Sequence, residues 1–175
     1  MADRISFSGL AQSLEQIANH RATVEEAIFE YFLCPSDKLL ARYTGMKVDE
    51  ARRACQDDMN QMSAFAVLSS IEASMQMDYL RRGRDRRRDN LSRSMRALYR
   101  ERGPRVNLER DLIPIWREHT SIPNRVFSDL VSALQYRHWL AHGRWWRPKF
   151  GREYDFFTVY TIGVLLMEGM AGASR

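Results

Sequence analysis

A permanent cation and a titratable imidazole stand five positions apart in Tyr136-Arg137-His138-Trp139-Leu140-Ala141-His142-Gly143, with a second imidazole between them. Arginine presents a planar fork of donors that fits a phosphate. Histidine is the side chain that gains and loses a proton near neutral pH. A cation that grips phosphate beside a group that moves protons is a kit for cutting RNA without a metal. The opposing reading is structural: Arg137 pairs with a carboxylate such as Glu72 or Asp78, and the histidines are satisfied core or cap residues. In an arginine-rich chain with four histidines, the bare spacing arises readily by chance, so its context has to carry the weight.

Periodic apolar residues predict helices nearly throughout. Leu10, Leu14, Ile17, Val24, Ile28 and Phe32 mark an N-terminal helix over 8–33, stopped by Pro35. A short helix over 37–46 ends at Gly45. A long helical segment starts near Val48 and carries Met59, Met62, Phe65, Ile71, Met75 and Tyr79, with Gly83 as an interruption. Asp89 or Asn90 caps the next helix, and Gly103-Pro104 closes it. Asn107 caps another, which Pro114 must kink or split. The motif helix carries Phe127, Leu130, Val131 and Leu134, a stripe that His138 is expected to continue, and Gly143 is its C-terminal cap. Tyr154 or Asp155 starts the last helix. No alternating run suggests a strand. The expected fold is all-α, a single-domain, mostly antiparallel helical bundle over residues 1–175, its core about 48–175 with the helix over 8–33 packed on it.

Composition narrows the classes. Apolar residues make up 45% and charged residues 28%, as in an ordinary globular domain. The formal charge is +5, and the basic side is almost all arginine, with lysine only at Lys38, Lys47 and Lys149. That bias suits a polyanionic partner, although surface ion pairs would account for it equally well. Cys34 and Cys55 lack metal or disulfide spacing and read as free thiols. Met1-Ala2-Asp3-Arg4 leads into an amphipathic segment without a signal-peptide pattern, and the apolar stretch from Phe156 to Ala173 reads as a buried helix. A cytoplasmic protein with no membrane partner is therefore expected. Gly-rich phosphate loops, nucleophile elbows and paired-carboxylate motifs do not occur. His138 and His142 have the spacing of two zinc ligands, but Trp139 stands where a metalloprotease helix needs Glu and no third ligand is marked, so no metal is expected.

Arg137, His138 and His142 fit, residue by residue, a motif of Arg, then Asn, Asp or His, then three residues and His. In this the chain resembles the HEPN domains, helical bundles of prokaryotic toxins and defence ribonucleases. The late position of the motif, the single helix after it and the upstream helix bearing Glu72 and Asp78 are similar too. The resemblance implies metal-independent endoribonuclease activity without a cofactor, at the interface of a homodimer. Arg137 would hold the scissile phosphate, His142 would transfer the proton, and His138 would orient them or bind phosphate, with Glu72 and Asp78 in support. It also implies a toxin–antitoxin or phage-defence setting with a possible antitoxin protein as partner. Some HEPN toxins carry a modifiable Tyr two residues after the motif His; this chain has Arg144 there, so that control is not expected.

Two further segments are candidate RNA contacts. Arg144, Trp145, Trp146, Arg147 and Lys149 interleave aromatic and basic residues around Pro148, a pattern that stacks unpaired bases or, alternatively, packs into the core or a subunit interface. The run Arg81 to Arg88, with Arg84 and Arg87 as the chosen contacts, is either a phosphate track or a solvated, salt-bridged surface.

Overall fold

The computed structural model describes residues 7–147, 149–151 and 154–173. Met1–Arg4 and Pro148 lie outside them. The described residues form seven α-helices and one π-helical turn: α1 (Leu14–Leu33), α2 (Asp37–Arg42), α3 (Val48–Arg84), α4 (Asn90–Arg102), the π turn (Leu108–Leu112), α5 (Ile113–His119), α6 (Asn124–Ala141) and α7 (Phe156–Gly172). The fold is all-α, and α3 is its axis, packing against α1, α4, α6 and α7. One continuous core, including Leu68, Ile71, Met75, Trp116, Phe127, Leu130 and Leu166, holds these helices together. Phe32, Leu39 and Ala51 form a small satellite core where α1, α2 and α3 meet. Among the described residues, no helix is long and apolar enough to cross a membrane.

Local chemistry sets the boundaries. Ser13 accepts from the Gln16 N–H while the Gln16 side chain accepts from Ser13 N–H, a reciprocal cap that starts α1 at Leu14. The helix expected from residue 8 therefore begins later, and Leu10 is not part of its apolar stripe but 84% exposed. Asp89 caps α4 and Asn107 caps the π turn, as the side-chain types require. Pro114 does split its segment: the π turn ends at Leu112, and α5 begins with the proline in its first turn, where a missing N–H costs nothing. Gly83 does not interrupt α3. A Cβ there would stand 2.9 Å from the Tyr99 ring, so the glycine lets α4 lie against the α3 backbone while the helix continues to Arg84. Beside it, the Tyr79 hydroxyl donates to Gly103 O at 2.6 Å, and burial pushes its pKa up to about 12.

Asp155 starts α7 by accepting from the Thr158 N–H at 2.7 Å. Hydrogen bonding by Thr158 holds its carboxyl below the ordinary range. A depressed carboxylate contributes stability above its unfolded pKa, and that contribution is lost as pH falls through the folded value. Asp155→Asn keeps an N-cap acceptor without the charge. The variant is expected to be slightly less stable than the parent at pH 7 and to converge with it below about pH 3, as urea titrations over pH 2–7 would report.

Candidate functional site

The motif sits on the last turns of α6. The buried stripe of that helix runs through Leu130, Ala133, Leu134 and Leu140, and the position between the last two is taken by Arg137 rather than by His138. This corrects the expected register, because neighbouring side chains on a helix are turned by about 100°. Arg137 thus faces α3. Its Nη2 lies 2.9 Å from Glu72 Oε2, its Nε lies 3.5 Å from Ser69 Oγ, and its Cζ stands 5.6 Å from the centre of the Phe65 ring. The Arg137 and Glu72 side chains are 31% and 33% exposed, so the pair is half-buried.

His138 and His142 are exposed on another side of the helix, one turn apart, with ring centroids 4.2 Å apart. His138 also faces Trp146 at 6.1 Å. Within one chain, then, the two imidazoles come together, while the guanidinium addresses a different neighbour. Among the described residues, no cluster of three potential metal ligands forms around these rings.

The end of α6 is a Schellman turn. Arg144 N–H donates to Trp139 O at 3.1 Å and Gly143 N–H to Leu140 O at 3.3 Å, with Gly143 at φ +79°. Arg144 follows at φ 59°, the only non-glycine residue with positive φ among the described residues. Its guanidinium explains why the conformation is held: Nη1 lies 3.1 Å from Asp58 Oδ1 and contacts Gln61. Asp58, Gln61, Phe65, Ser69 and Glu72 recur every three or four residues, so one stripe of α3 receives both Arg144 and Arg137. No atom stands within 4 Å of a Cβ built on Gly143. Gly143→Ala is accordingly expected to cost about 1 kcal/mol through backbone strain alone, measured by urea unfolding.

The loop beyond is anchored by aromatic packing. Trp139 Nε1–H donates to Trp146 O at 2.8 Å, and Tyr136 stacks on Trp139 and Tyr154 while meeting Phe150 edge-on. Trp146 is half-buried by this arrangement, whereas Trp145 is 80% exposed. Trp146 therefore follows the packing alternative, and Trp145 is free of the core. Arg147 and Lys149 are exposed. Between the loop, α6 and the π turn lies a cavity of about 320 Å³, lined by Glu109, Gln135, His138, Trp146, Lys149 and Phe150 among others. A second cavity of about 340 Å³ separates α1 from α3, but it is largely apolar and its buried Arg21 is already bonded to Glu25 and Asn60.

Three candidates sit elsewhere. Asp78 does not meet the motif: six residues beyond Glu72, or about 9 Å along α3, its Oδ2 accepts from Arg82 Nε at 2.7 Å. Arg84 and Arg87 lie at the far end of α3 or just past it. Asp58, where Arg144 docks, is 26 residues before Arg84, roughly 39 Å away along the helix. Arg87 lies 3.6 Å from Asp85, and Arg96 clamps the carbonyls of Asp85 and Arg87, so this run includes a braced loop. Asp58, Gln61, Ser69, Glu109 and Gln135 were not legible as site neighbours. The α3 stripe has a detectable period, but the entry of Glu109 depends on the path of the connection after α4. Comparisons of the chain with family models, curated proteins and solved structures returned no match.

Proposed function

We propose that the chain is a metal-independent endoribonuclease of HEPN type, cleaving single-stranded or loop RNA through attack of the ribose 2′-OH. The observation that carries this reading is the exposed His138–His142 pair, its rings 4.2 Å apart, beside a cavity that offers aromatic and cationic groups. His142 takes the 2′-OH proton; O2′ attacks phosphorus; the P–O5′ bond breaks, and the leaving O5′ takes a proton from water, while His142 afterwards gives its proton back to solvent, with His138 at hand to orient the chain or the phosphate. Arg137, about a third exposed, binds a non-bridging oxygen and stabilises the extra negative charge. The products are a 2′,3′-cyclic phosphate and a 5′-OH. The divergence of Arg137 from the imidazoles supports a homodimer in which a second copy completes the site. A toxin or phage-defence effector with an antitoxin partner is the biological setting that the resemblance suggests. A non-catalytic module that binds RNA, nucleotide or protein is the second reading, favoured by the Arg137–Glu72 ion pair, which already gives the guanidinium a structural partner.

The test is to incubate the purified chain with labelled single-stranded RNA, and with DNA of the same sequence, in EDTA. RNA cut to cyclic-phosphate ends with intact DNA is the expected result. Binding without cleavage would establish the second reading, and full-rate cleavage by both Arg137→Ala and His142→Ala would overturn the site.

A further inference from the structure

We propose that the cavity between the π turn, α6 and the basic loop is a guanine-selective site for an unpaired base, resting on the ribonuclease reading only for its place beside the cleaved phosphate. Its volume of about 320 Å³ lies in the range of small-molecule sites. Trp146 and Phe150 supply aromatic surface, and base stacking on such rings is sequence-tolerant, so the walls alone would accept any base. Selection has to come from the polar lining: Glu109, Gln135, His138 and Lys149.

Glu109 is the discriminating group. An ionised carboxylate is acceptor-only, with two coplanar oxygens that are best satisfied by two adjacent donors. On the Watson–Crick edges of the four bases, only guanine places two donors side by side, at N1 and N2. Adenine and cytosine set one amino donor beside a ring acceptor, and uracil flanks a single N–H with two carbonyls. Each would bring a lone pair against a Glu109 oxygen. Guanine also carries O6 and N7 as acceptors, which match the donors available from Lys149 and a histidine ring. Gln135 can donate or accept and so adds contact without much choice.

The position links the pocket to the chemistry. His138 is at once a wall of the cavity and the neighbour of His142, so a base held there has its own or an adjoining phosphate near the imidazole pair. Glu109, Gln135 and Lys149 are all exposed, and none makes a hydrogen bond or ion pair with another described residue that a bound base would have to displace.

The experiment titrates guanosine, adenosine, cytidine and uridine 5′-monophosphates into the full chain, following amide and indole NMR shifts and calorimetric affinity. GMP is expected to shift the Trp146 indole and the amides of residues 109, 135 and 138, and to bind at least tenfold more tightly than the other three. Glu109→Gln, an exposed and isosteric change, is expected to erase about tenfold to a hundredfold of that preference, and Glu109→Asp to retain part of it. Equal affinities, shifts confined to other surfaces, or an unchanged preference in Glu109→Gln would overturn the proposal. Binding is read apart from cleavage, so the two readings separate. GMP selectivity with uncut RNA upholds the pocket and removes the ribonuclease; cleavage by a chain without GMP preference removes the pocket and leaves the ribonuclease.

Discussion

Changing His142 to alanine is expected to slow RNA cleavage by about 10²–10⁴-fold, the ordinary worth of a positioned acid or base, without unfolding the chain. His142 is exposed, and its contribution to the helix end is its backbone N–H bonded to His138 O at 3.1 Å, which alanine retains. Arg137→Ala is expected to cost about 10²–10³-fold, as loss of a group stabilising transition-state charge does. It also strands Glu72, so a control is needed. Glu72→Gln weakens the same ion pair while leaving the guanidinium in place. If Arg137 acts on phosphate, Glu72→Gln keeps most of the activity; if Arg137 only braces α6 on α3, the two variants fail alike. Mixing Arg137→Ala with His142→Ala chains then tests the composite site. In a homodimer whose site takes Arg from one copy and His from the other, random exchange restores about a quarter of parental activity, half of the dimers being mixed and each of these keeping one of its two sites. No recovery would mean that each site draws both groups from one chain.

Arg82→Ala is the substitution expected to cost most in stability, about 3–5 kcal/mol, out of a total that for a domain of this size is about 5–15 kcal/mol. Arg82 is 1% exposed. Its Nε donates to Asp78 at 2.7 Å, its Nη1 to Ser92 Oγ at 2.9 Å and to Asp89 at 3.3 Å, and its Nη2 to Ala173 O at 3.3 Å. One side chain therefore ties the end of α3 to the start of α4 and the end of α7. Truncation leaves a cavity and, worse, a half-buried carboxylate without its cation. Burial already raises the Asp78 pKa, and Arg82 is the main group opposing that rise. A carboxyl raised in the folded state contributes stability below its unfolded pKa and loses it as pH climbs through the folded value. The Arg82→Ala deficit should thus widen from about pH 4 towards neutrality. Arg82→Met fills more of the space, and adding Asp78→Asn to it is expected to recover part of the loss by removing the stranded charge. Urea unfolding of the single and double variants at pH 4 and pH 7 checks both statements.

Much of the architecture was legible because helix ends are local events. Asp89, Asn107, Gly143 and Asp155 act within three or four residues of themselves, and Pro114 cannot help but divide its segment. The misjudged positions have different causes, one a neighbour on another helix and the other a local cap. Gly83 looks like a breaker until Tyr99 is seen against it, and Leu10 belongs to a helical stripe only if Ser13 does not begin the helix.

The candidate site divides in the same way. By itself the sequence determined that Arg137, His138 and His142 share the end of one helix, with fixed angles between them and a basic, aromatic loop beyond. It could not determine the rotation of that helix against α3. Apolar contacts of Leu130, Ala133, Leu134 and Leu140 set that rotation, and they turn Arg137 inward to Glu72 while leaving the two imidazoles outside. Tertiary packing alone also brought Glu109 to the same cavity as His138, because helical periodicity relates side chains within one element, as it does Asp78 and Arg82 four residues apart on α3, and carries no information about which element lies opposite.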